Sequence, residues 1–190
     1  MIGKTPSGVK FFNYPTFMVF RTIGSERAMI FAGLGDSLNI GTIQAETGTD
    51  GFDQPLMIIY SADKTIAERV QSFAIAAGYP ASMNHIKQIP SPMVNMGLEE
   101  DDESFGFGIR VGVFDTPKVQ DQYMSDVYTM YRVYRLTPNQ SQPLNPYPVS
   151  DLRIRGTGKT EFDLMPPVNH LRDAIIAAYP GYTYQEMKTG

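Results

Sequence analysis

The chain has 190 residues, with 16 lysines and arginines against 20 aspartates and glutamates, a formal charge of −4. It has no cysteine and only two histidines, which excludes disulfides, thiolate metal sites and a cysteine nucleophile. The net acidity argues against a nucleic-acid binder, which needs cations to displace counterions from phosphate. Length alone suits one domain over 1–190.

In chain order, residues 1–8 read as a short N-terminal arm. Residues 9–23 (VKFFNYPTFMVFRTI) are aromatic and β-branched, which predicts two strands broken at Pro15, a residue that cannot donate to a ladder. Ala28–Phe31 and Leu38–Ile43 read as further strands, and Asp50-Gly51 as a tight turn. Leu56–Tyr60 is an apolar run of strand length. It leads into a helix over about 64–78, where Ile66, Val70, Phe73, Ala74 and Ala77 share a face. Thr65 with Glu68 forms one capping box there and Asp63 an alternative cap, while Gly78 and Pro80 end the helix.

Residues 81–104 read as irregular, closing on the acidic run Glu99–Glu103. Phe105–Phe114 predicts one strand with Gly106, Gly108 and Gly112 on one face, so that something packs closely against that backbone. Val127–Leu136 (VYTMYRVYRL) reads as the next strand. Residues 137–149 hold four prolines and no charge, a composition that favours extended chain. Leu152–Arg155 is a short-strand candidate. A second helix is expected over 167–179, with Val168, Leu171, Ile175 and Ala178 as its stripe, followed by a tail over 182–190. The fold class is therefore α+β: mainly antiparallel or mixed sheet, two helices, and long extended loops or arms.

Motifs carry little chemistry. Gly158-Lys159-Thr160 lacks the earlier glycine of a phosphate loop, Arg153 standing in its place, and Pro166-Pro167 follow where a helix should be under way. Asp50-Gly51 sits in a stretch that supplies Met57 where a calcium loop needs a bidentate acid. Neither His85 nor His170 belongs to a ligand pair, and no nucleophile elbow is present. No catalytic residue, metal site or cofactor is assigned, and an enzyme is the less favoured reading.

The two irregular segments point to company. Met93, Val94, Met96 and Leu98 prefer burial, and a proline-rich stretch loses little entropy on docking. Pro90, Pro92, Met93, Met96, Leu98, Pro143, Pro146 and Tyr147 are the expected interface residues. The chain is read as a structural or assembly subunit of a large homo- or hetero-oligomeric particle. A virion component (capsid, head–tail or tail) is the first analogy, and copies of the chain are the expected partners. The alternative is a small-molecule enzyme or ligand-binding domain with its site at the start of the 64–78 helix, near Ser61, Asp63, Thr65 and His85. A nucleic-acid adaptor would need Arg110, Arg132, Arg135, Arg153 and Arg155 on one face. No secretory signal core or membrane-length apolar run occurs, so the expected location is the cytoplasm or an assembled particle.

Overall fold

Two bends in the backbone organise the structure, a computed structural model that describes residues 1–45, 48–92, 94–97, 99–140, 142–148, 163 and 165–185. Strands β2 (Val9–Tyr14) and β3 (Thr16–Ile23) meet at Pro15, where the sequence places the break. Their partners do the same. Phe105–Phe114 is not one strand but two, β8 (Ser104–Phe107) and β9 (Arg110–Phe114), parted at Gly108. The Gly108 amide donates to the Pro15 carbonyl at 3.2 Å, so both bends stack. On one side of this corner β2 pairs antiparallel with β9 and with β5 (Leu38–Asn39). On the other, β3 pairs antiparallel with β8 and with β4 (Glu26–Gly33). Strands that pass from one sheet to another at a bend build such corners.

A third sheet has the order β1-β6-β7, with β1 (Ile2–Lys4) antiparallel and β7 (Asn84–Gln88) parallel to β6 (Pro55–Ser61). Helix α1 (Lys64–Ala76) is the crossover that a parallel pair requires. Residues 1–8 are thus no free arm: β1 belongs to the sheet, and Thr5 and Pro6 are buried. The 81–104 stretch likewise contains β7, and Met83, Asn84, Ile89 and Val94 are buried. The principal core gathers Val9, Phe12, Tyr14, Leu56, Ile58 and Met83. A second cluster unites Met18, Ile89 and Val94, and a third unites Ile59, Ala67 and Tyr147 under α1.

Val127–Leu136 does not form the strand expected there. Helix α2 (Pro117–Met130) takes up Val127–Met130, the first four residues of the strand expected at Val127–Leu136. Thr116 caps it, accepting from the Val119 amide at 3.2 Å, and Pro117 opens the first turn. Val119, Tyr123, Val127 and Met130 lie at helical spacing, and Tyr123 is buried with its ring 5.7 Å from Phe114. After α2 only one bridge remains of the expected strand, Ile2 with Arg132.

The chain, read from sequence as one domain, divides into two compact units, Met1–Ser150 and Asp151–Gly190. In the second unit the described structure is helix α3 (Met165–Ala178), which gives three helices among the described residues where two are expected. The Leu152–Arg155 strand and the Gly158-Lys159-Thr160 turn lie outside the described residues. The class is mixed α+β with mostly antiparallel pairing.

Candidate functional site

The start of α1, one predicted ligand site, is occupied by the chain itself. Asp63 is the cap: its Oδ1 accepts from the Ile66 amide at 2.9 Å and its Oδ2 from the Asn145 amide at 3.0 Å. The Lys64 amide donates to the Asn145 carbonyl at 2.8 Å. Asn145 Nδ2 donates to Thr65 Oγ1 at 2.9 Å, and the Ser61 hydroxyl to the Asp63 carbonyl at 2.8 Å. The donors named here are spent on Asp63, on Thr65 and on Asn145 of the proline-rich segment. His85 lies on β7, level with Ile58 across the parallel pair. Burial lowers its pKa, and its Nε2 has no partner among the described residues. Among the described residues no hydrogen bond or ion pair joins it to Ser61, Asp63 or Thr65.

The expected interface residues separate. Tyr147 is 4% exposed and packs with Ile59 and Ala67 of its own unit, and Pro90 is half-buried. Pro92, Met96, Pro143 and Pro146 are exposed; Met93 and Leu98 lie outside the described residues. The three described arginines of the expected basic face are each engaged within the chain. Arg132 Nη1 donates to the carbonyls of Tyr128, Thr129 and Tyr131 at the end of α2. Arg135 donates to the Gly97 carbonyl, and Arg110 lies 5.7 Å over the Phe17 ring. Arg153 and Arg155 are outside the described residues.

A cleft of about 890 Å³ opens in the first unit between β6, β8, the 96–104 loop and the extended chain after α2. Tyr60 and Phe107 form part of its wall, their rings 4.1 Å apart. The Tyr60 hydroxyl is buried without a partner among the described residues, and burial raises its pKa. The cations beside the cleft are engaged. Arg27 donates to Thr22 Oγ1, the Asp101 carbonyl and Ser104 Oγ, and Arg21 pairs with Glu103. Glu103 and Asp102 also accept from Asn95, so the acidic run is a stitched loop with Glu99 and Glu100 at its outer edge. Among the described residues no group of three or more histidines, aspartates or glutamates is placed to hold a metal ion. No described helix is long and apolar enough to cross a membrane.

Known protein families, curated proteins and solved structures give no match to this chain. Function must be argued from the surface.

That surface is the feature the sequence reading missed. Met29, Ile30 and Phe31 of β4 are consecutive and exposed, at 67%, 38% and 57%. The β3–β4 register slips between Met18 and Phe20, so that Ile30 and Phe31 together stand opposite Val19 while Met29 stays level with Phe20, and Phe31 takes a left-handed backbone with φ of 51°. Phe31 then stacks on Phe17 at 4.7 Å. Three consecutive apolar residues in a strand give no sign of a bulge or of their exposure. On α1, Phe73 is 67% exposed although its spacing puts it on the apolar stripe. On α3 no residue is buried.

Proposed function

We propose that this protein is a structural subunit that associates through apolar contacts with other protein subunits, copies of itself first, in a larger particle such as a virion. One observation carries the reading. In the first unit, exposed large apolar side chains outnumber the buried ones among the described residues. A solitary domain seldom leaves contiguous apolar patches, because covering each such side chain contributes about 1 kcal/mol or more. The contact surface moves, however. The proline-rich segment serves its own α1, so β4 and the apolar helix faces take the role first expected of residues 81–104 and 137–149.

The bulge in β4 discourages strand addition at its edge, so the face around Met29 is the contact and not the ladder. Light scattering over a concentration series tests this. A mass that climbs to multiples of 21.2 kDa is expected, and Met29→Lys should lower the association at least tenfold while leaving the melting temperature unchanged. A protein that stays monomeric at millimolar concentration would end the proposal. That result would favour the second reading, a ligand-binding domain. Its support is the cleft with the unpartnered Tyr60 hydroxyl, not the occupied start of α1.

A further inference from the structure

The chain that follows α2 is anchored at its far end and stands off before it. The Asn145 amide donates to Asp63 Oδ2 at 3.0 Å, its carbonyl accepts from the Lys64 amide at 2.8 Å, and its side chain donates to Thr65 Oγ1. Pro146 pairs with Asp63 in an isolated antiparallel bridge, and Tyr147 is buried with Ile59 and Ala67. This seat reads its occupant by sequence: an asparagine, an extended proline and an aromatic plug. The tether leading to it, residues 133–144, is different. Its described residues form no helix or strand. A space of about 450 Å³ opens between Leu136 and Pro138 of the tether and Ile66, Val70 and Phe73 of α1.

We propose that residues 144–147 are an exchangeable arm, which in the assembly leaves its own seat and occupies the start of α1 on a neighbouring copy. The inference rests on the assembly reading above and names one of its contacts. A lone chain fills its own seat. A neighbour's arm fits the same seat by construction, because it makes the same bonds, so exchange loses no contact. Charge allows the crossing. No charged residue lies between Arg135 and Asp151, so the arm meets no like charge on another acidic copy.

The length of the tether gives the reach. Ile2 pairs with both Met57 of β6 and Arg132, and Asp63 lies six residues beyond Met57. At roughly 3.3 Å per strand residue, the way from Arg132 to the seat is about 20 Å. The fourteen residues from 133 to 146 reach about 43 Å at roughly 3.1 Å each when extended, the state that Pro138 and Pro143 favour. About half of that length is surplus to the chain's own seat, and compact domains seldom keep so long a structureless connection without a use for it. Seating on its own α1 makes the tether fold back, a bend that the longer path to a neighbour relieves. Once apolar contacts hold that neighbour close, its seat is present at about millimolar effective concentration.

The absence of native cysteine makes the test direct. Thr65→Cys with Asn145→Cys in one chain places a thiol on the seat and another on the arm, where the two side chains meet, and keeps the backbone bonds of Asn145. This variant is treated with a short bismaleimide while dilute and monomeric, and again at a concentration where light scattering shows association. Both samples are run on a denaturing gel. The dilute chain should close on itself and run as a monomer. The associated chain should run mainly as covalent multimers, with the self-closed product reduced at least fivefold. In a mixture of Thr65→Cys chains with Asn145→Cys chains, covalent dimers should form at least tenfold faster than in a mixture of Thr65→Cys with Lys118→Cys, an exposed position of α2. Self-closure that persists in full on association, or equal rates in the two mixtures, would overturn the exchange while leaving the assembly reading intact. A chain that never associates would overturn both.

Discussion

Gly3 lies where two distant parts of the first unit press together. A Cβ built there would stand 2.5 Å from Tyr131 Cδ1 and 2.7 Å from the Met130 carbonyl oxygen. Neither can retreat. Ile2 and Arg132 exchange amide–carbonyl bonds of 2.9 and 2.8 Å on either side, and the Tyr131 hydroxyl meets that of buried Tyr14 at 3.3 Å. Gly3→Ala should therefore destabilise the protein by about 1–3 kcal/mol, the usual penalty of overpacking. Gly33→Ala is the control, since nothing lies within 4 Å of its Cβ position, and its effect should stay within about 0.5 kcal/mol. Urea titration of both variants decides the point; equal effects would mean that the strand β1 yields. The sequence could show Gly3 only as part of a short arm. Its meaning depends on Tyr131, which no local pattern links to it.

At the scale of elements, α1 shows what a local pattern can and cannot reveal. Its apolar spacing and the Gly78–Pro80 stop were legible, and the structure gives Lys64–Ala76. Between the two caps read from sequence, Asp63 prevails because its carboxylate reaches the Ile66 amide. The second duty of that carboxylate, accepting from Asn145, joins residues 82 apart and leaves no trace in either segment. Helix α2 was misread for a related reason. Its Val, Tyr and Thr residues have strand preferences, but Thr116 and Pro117 start a helix and Tyr123 finds burial against Phe114. Propensity lost to capping and packing. The double role of Asp63 predicts an order of effects. Asp63→Ala should cost about 1–2 kcal/mol, since it removes a helix cap and a partner of the Asn145 amide. Asn145→Ala keeps the backbone bonds and loses the one to Thr65, so about 0.5–1 kcal/mol is expected. Thermal melts followed at the far-ultraviolet helix band read both. The reverse order would show that the Asn145 side chain, and not the cap, holds the proline-rich segment to α1.

For the whole molecule the deciding contrast is between apolar and ionic association. Charged residues are 19% of the chain, and the arginines described above are committed to carbonyls, an aromatic ring or a neighbouring acid. The described arginines Arg21, Arg27, Arg110, Arg132, Arg135 and Arg172 thus each have a partner within the chain. The exposed large apolar side chains among the described residues include Met29 and Ile30 on β4, Phe73 on α1, and Leu171 and Ile175 on α3. Contacts of the two kinds respond oppositely to salt. Sodium chloride screens surface charges within about 10 Å at 0.1 M and weakens ionic interfaces, whereas sulfate is excluded from protein surfaces and strengthens apolar burial. A net charge of −4 adds mild repulsion between copies, which chloride relieves without supplying attraction. The mass measured by light scattering should therefore hold or rise slightly along a sodium chloride series to 1 M and climb steeply with sulfate at equal ionic strength. Met29→Lys should blunt the sulfate response, because its new cation would have to be buried unpaired. An assembly that falls apart in chloride would instead be held by ion pairs. The exposed apolar faces would then serve something other than the contacts between subunits.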